Sequence, residues 1–116
     1  MLALRLVLSG AGDRGAGHDT LIFDEVDAGI GGEAAHAVGQ ALADLGKHHQ
    51  VLVVTHLAQV AAAANAQLSV SKQVRRGETF ASAAALDGDD RVDELARMLS
   101  GSASDSARNH ARELLQ

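Results

Sequence analysis

Apolar residues fall along the first half of the chain in short unbroken runs between glycine-rich or charged stretches, and along the second half in stripes of helical spacing. The run TLIF at 20–23, which contains a β-branched residue and Phe and lies between turn-forming residues, predicts a buried strand. From Glu33 onward Ala35, Val38, Leu42 and Leu45 recur three and four residues apart, and Gly46 stands where a C′ glycine would end the helix. A second run, QVLVVTH at 50–56, is continuous rather than alternating, which predicts a strand covered on both faces as in parallel sheets. Strand, helix and strand together occupy about the ~30 residues of a βαβ unit.

Beyond that unit, LAQVAAAAN predicts a short helix, and QLSVSKQV and TFASAAAL flank RRGE as the arms of a hairpin built on Gly77. Two helices close the pattern, one with the stripe Val92, Leu95, Ala96 and Leu99, the other with Ala107, Ala111, Leu114 and Leu115. Ahead of the first strand, SGAGDRGAGHD at 9–19 is read as a flexible loop or linker, and MLALRLVL at 1–8 as a helix entered partway along. The expected fold class is therefore α/β, a parallel βαβ core with a β-hairpin and two C-terminal helices, within a single domain.

Composition narrows the possibilities. Hydrophobic residues are 47% of the 116, but alanine dominates them and there are two Phe and no Trp or Tyr, so the core is thinly filled. A formal charge of -5 argues against a free-standing binder of nucleic acid or anionic membrane, which needs a basic face to displace counterions. The absence of cysteine excludes disulfides and thiolate metal sites and fits a cytoplasmic setting. The apolar stretch at the start carries Arg5 and falls far short of the ~20 residues of a membrane span, and it has no basic leader or small-residue cleavage site.

The chemistry gathers where the first strand ends. Parallel strands joined by a crossover helix place their carboxyl ends on one edge of the sheet, the edge where open α/β sheets bind ligands. Asp24, Glu25 and His56 are thereby expected to converge, with Asp27 and the glycines at 29, 31 and 32 just beyond. One carboxylate there suits a hydrated Mg²⁺, a second can orient or deprotonate water, and a histidine across the gap can touch a phosphoryl group. Blander readings compete: a strand-end Asp is as often a turn or cap residue, and His56 alone is more often a hydrogen-bonded core or loop histidine. The pairing of the two at βαβ spacing favours the site. His18, His36, His48, His49 and His110 have no zinc-like spacing and are read as solvated, and Arg75 and Arg76 as a charged hairpin tip.

TLIFDEVDAGIGG resembles the Walker B motif and D-loop of the ABC-type ATPases of the SMC and Rad50 group, and VLVVTHLAQVAA resembles their H-loop. Within that group the wording is most similar to the RecN-type DNA repair ATPases of bacteria. The resemblance extends over nearly the whole chain, with MLALRLVL similar to the segment after the ABC signature and RVDELARMLSG with ARELL similar to the family's chain end. It implies that residues 1–116 are the C-terminal lobe of a P-loop NTPase head, that Asp24 holds Mg²⁺ through water, and that Glu25 polarises the hydrolytic water. It further implies that Asp27 begins a D-loop crossing between two heads and that His56 senses the γ-phosphate. ATP and Mg²⁺ are the implied cofactors of the complete protein. Its implied partners are the remainder of the chain, a second head in a homodimer, and DNA through the parent, in the bacterial cytoplasm at the nucleoid.

No G-x-x-x-x-G-K-[ST] loop occurs in the sequence, and the signature motif, Q-loop and heptad-bearing coiled coil are absent as well, so tight binding of ATP by this stretch alone is not expected. Two other readings stay open at this level. One is a free-standing α/β binding module without catalysis. The other is a different Mg²⁺-dependent phosphohydrolase using Asp24 and Asp27, although D-x-x-D fits the usual D-x-D spacing poorly.

Overall fold

The computed structural model describes residues 7–8, 20–24 and 29–116. A three-stranded sheet is built from β1 (Val7–Leu8), β2 (Thr20–Asp24) and β3 (Gln50–Val54), with β2 in the middle. β2 and β3 run parallel, in a register that pairs Leu21 with Val51, Phe23 with Val53 and Asp24 with Val54. The crossover between them is α1 (Gly32–Leu45), which ends at Gly46 as expected. Gly46 has right-handed helical angles, φ -65° and ψ -14°, so the helix stops without the left-handed turn that a C′ glycine supplies.

Two sequence expectations need correction. Residues 7–8 are a strand antiparallel to β2, not part of a helix: pairing with Leu21 and Ile22 satisfies backbone groups that a helix end this short would leave open. Nor are β2 and β3 covered on both faces. Leu21 and Phe23 are buried, and Val51 and Val53 pack beside them. On the other face Ile22, Leu52 and Val54 are 48%, 47% and 61% exposed. The cause is layering, since α1 and the short α2 (Ala58–Ala62) both contribute to the core on the Leu21 and Phe23 side, where Ala35 and Val60 are buried.

β4 (Gln67–Arg75) and β5 (Glu78–Leu86) form the expected hairpin. Its two turn residues, Arg76 and Gly77, have φ of 52° and 79°, the doubly left-handed geometry of a type I′ turn that matches strand twist. Leu68, Val70 and Val74 alternate along one face of β4 and stay exposed, while Ser69, Ser71 and Gln73 occupy the other. α3 (Gly88–Ser100) and α4 (Asp105–Leu114) then pack together through the two predicted stripes. Gly101 ends α3 at φ 80°, and the Ser104 hydroxyl caps α4 by accepting from the Ala107 N–H at 3.3 Å. Arg108 Nε donates to Asp93 Oδ1 at 2.7 Å and joins the two helices.

The core is divided. Leu95, Ala96, Val92, Ala107 and Ala111 form a cluster with Ala58 and Ala61, whereas Val60 belongs to the sheet-side cluster. Five-residue α2 thus serves both. Leu95 is the largest fully buried side chain among the described residues, as an alanine-rich sequence requires.

Candidate functional site at the strand ends

β2 ends in Asp24, and its register partner Val54 ends β3, so both strands deliver their carboxyl ends to one edge. Asp24 shares the uncovered face with Ile22, because side chains two apart in a strand point the same way. It is exposed and makes no ion pair among the described residues. Thr55 and His56 follow Val54 directly. There the chain turns: the Leu57 N–H donates to Thr55 Oγ1 at 3.0 Å, a hydroxyl-stabilised turn that leads from the strand into α2. His56 is exposed at that turn. Sequence reasoning had passed over Thr55, although a Thr placed between an apolar run and a helix is the signal for such a turn.

Glu25 and Asp27 lie outside the described residues, as do the 9–19 loop, His18 and residues 1–6. What the structure brings together is Asp24 and the start of the His56 turn. Gly29 and Ile30 precede α1, which starts with Gly31 as its N-cap residue, extended at φ -150° and ψ 168° and offering no side-chain cap. Gly29 and Gly32 have φ of 78° and 56°, which only glycine takes without strain, so this glycine-rich turn is a built feature.

The remaining histidines behave as solvated groups, with His36, His48 and His110 exposed and His49 half-buried. Among the described residues no group of three His, Asp or Glu side chains is arranged to hold a metal ion. A shallow depression of about 430 Å³ lies elsewhere, lined by Asp90, Asp93, Glu94 and Arg97 of α3 and by the 101–103 turn, and includes neither Asp24 nor His56.

Against this geometry the kinship of the chain is decisive. It is 53% identical over 115 residues to the DNA repair protein RecN of Deinococcus radiodurans, covering 99% of this chain. It is 51% identical over 117 residues to RecN of Mycobacterium tuberculosis, covering all of it. The sequence is RecN-like over nearly its whole length. RecN of Vibrio cholerae matches at 50% over 97 residues. The chain spans about a fifth of the length of these RecN relatives, 19% of the first two and 18% of the third. No family model matches it. In structure it resembles a solved chain from work on ATP-driven dimerization and DNA-stimulated activation of SMC ATPases, with a TM-score of 0.58 at 21% identity over 70% of this chain and 48% of that one. The fold is thus similar to about half of that SMC ATPase chain, and the α/β expectation holds.

Proposed function

We propose that this chain is the C-terminal part of an ABC-type ATPase head of a RecN-like protein, acting in DNA double-strand break repair and recombination by hydrolysing ATP between paired heads. One observation carries the reading. Asp24 ends β2 opposite Val54 of β3, His56 follows Val54 by two residues, and the sequence around both is RecN-like.

Asp24 fits a water-mediated magnesium site. Magnesium keeps several waters and takes one or two protein carboxylates, and Asp24 is an exposed carboxylate in no ion pair among the described residues. When bound, magnesium offsets the negative charge on the phosphates. Glu25 orients the attacking water and takes its proton, His56 contacts the γ-phosphate, and Asp27 opens the loop that reaches the second head. ATP and Mg²⁺ belong to the complete protein, because the phosphate-cradling loop is missing from this sequence.

The rest of the RecN-like chain is the first partner, and the uncovered face of Ile22, Leu52 and Val54 beside Asp24 supports it, since a solvent-facing apolar patch next to a site marks a contact surface. A second head and, through the parent protein, DNA complete the set of partners, in the cytoplasm at the nucleoid. Among the described residues no helix is long and apolar enough to cross a membrane.

The test is Glu25→Gln in the full-length protein. Nucleotide should still bind, while single-turnover hydrolysis falls by the ~10²- to 10⁴-fold that a general base contributes. Near-normal hydrolysis by a folded variant overturns the assignment.

A further inference from the structure

We propose that Arg91 is a positioning residue for His56, acting through α2; the proposal rests on the reading of His56 as a γ-phosphate contact. α2 begins two residues after His56, and at five residues it is too short to hold itself in place. Its N-cap residue Leu57 offers no side-chain cap, and its last turn contains no basic residue of its own.

Arg91, from α3, supplies what is missing. Its Nη2 donates to the carbonyl oxygens of Ala61 at 3.2 Å and Ala64 at 2.7 Å, at and just beyond the C-terminal end of α2. Its Nε donates to Gln67 Oε1 at 3.2 Å at the start of β4. Gln67 is buried, and its Nε2 reaches Met98 Sδ at 3.8 Å, so the guanidinium is held from behind by a group that is itself fixed. A cation over the last carbonyls of a helix satisfies acceptors left poorly paired there, and the Ala61 oxygen, which also accepts from the Ala64 N–H at 3.2 Å, gains a second bond.

Arg91 stands in the acidic stretch DGDDRVDE, yet it makes no salt bridge among the described residues and directs its donors to neutral oxygens. A planar fork can bind along two directions at once, which a lysine ammonium on its flexible stem does less well. Loss of this clamp removes the tie at the C-terminal end of α2 while its packing on α1 and the two core clusters remains, and a small shift of α2 is passed to His56 because only Leu57, whose N–H is bonded to Thr55, lies between them in the chain. A displacement near 1 Å of a reacting group costs about 10²-fold in rate.

The experiment is a double-mutant cycle in the full-length protein between Arg91→Met and His56→Ala, reading single-turnover ATP hydrolysis, nucleotide affinity and melting temperature. Arg91→Met should slow hydrolysis about 10- to 100-fold with nucleotide affinity unchanged, and should add no further loss once His56 is alanine. Multiplicative losses, or a parallel drop in affinity, overturn the proposal by showing that Arg91 acts on stability or on the head at large. Impaired His56→Ala with normal Arg91→Met overturns the positioning role alone, whereas normal hydrolysis by His56→Ala defeats the underlying reading and the proposal together. Arg91→Lys, run through the same cycle, keeps the charge and should lose less, so a folding failure of the methionine variant leaves the result readable.

Discussion

Gly39 of α1 lies so close to Gln59 of α2 that a Cβ at position 39 would stand 3.0 Å from the Gln59 carbonyl oxygen. Such an atom would also meet Ala63 Cβ at 3.2 Å and Val60 Cα at 3.3 Å. Mid-helix glycine costs about 1 kcal/mol of helix propensity, and here the cost is offset by the approach it permits. The two helices joined at this contact are the ones that follow the glycine-rich 29–32 turn and the His56 turn.

Gly39→Ala should therefore destabilise the chain even though alanine is the better helix former. Two of the three neighbours are backbone atoms that cannot swing aside, and overpacking of this kind costs about 1–3 kcal/mol against the roughly 1 kcal/mol that alanine gains in propensity, for a net loss of up to about 2 kcal/mol. Urea unfolding of the two proteins side by side measures it. A gain in stability would show that α1 and α2 are not in tight contact.

The uncovered sheet face leads to a second expectation. Ile22, Leu52 and Val54 on the sheet, with Leu68, Val70, Val74 and Phe80 on the hairpin, leave large apolar side chains about half or more in water. The isolated 116-residue chain should self-associate, and Leu52→Lys, which puts a charge in the middle of the sheet patch, should weaken that association. Sedimentation across a concentration range would reveal it. A wild-type chain that stays monomeric at high concentration would count against these surfaces as contacts.

Those same residues show where sequence pattern stops being informative. Strand, helix, hairpin and the two terminal stripes were legible because each carries its own period and its own punctuation, down to the Arg-Gly turn of the hairpin. The parallel pairing was legible too, since LIF and VLVV are too apolar to alternate. What those runs could not reveal is that only one face is covered among the described residues: a continuous apolar strand reads the same whether one face or both are covered. The strand at 7–8 was missed for a related reason, as two residues have no period and owe their conformation to β2. At the strand ends, the placement of Asp24 beside the start of the His56 turn was legible from the βαβ spacing, while the contacts of Arg91 were not, because an arginine among five acidic residues looks like a solvated charge until its acceptors are seen.

A third expectation concerns acid. Glu94 and Arg97, three apart on α3, share two bonds, with Arg97 Nε donating to Oε2 at 2.9 Å. The hydrogen bond from Arg97 holds the Glu94 carboxyl below its ordinary range, burial opposes the effect, and the Arg97 charge adds to it. Because the folded-state value is the lower one, this contribution is complete above the unfolded value near 4.5 and is lost as pH falls through the folded value. Arg97 is 59% exposed, so the pair is worth no more than the few tenths of a kcal/mol usual for such helix pairs. Melting temperatures of wild type and Glu94→Gln should differ slightly at pH 7 and converge toward pH 3. Parallel curves would sink the assignment.

The last expectation separates Asp24 from His56 in the full-length protein. Asp24 is exposed at the end of a strand whose inward residues are Leu21 and Phe23, so Asp24→Asn leaves the core intact and changes only the charge at the sheet edge. If that carboxylate holds magnesium through water, the variant should bind Mg-ATP more weakly, and added magnesium should recover part of the affinity. His56→Ala removes a side chain from the turn into α2 without touching the carboxylate, so nucleotide affinity should hold while single-turnover hydrolysis falls. A purely structural role for both residues makes a different prediction: each substitution would lower the melting temperature, and turnover per folded molecule would barely move. Titrations of nucleotide at several magnesium concentrations, with hydrolysis measured on the same preparations, distinguish the cases. If Asp24→Asn binds Mg-ATP as tightly as wild type at low magnesium, the metal lies elsewhere.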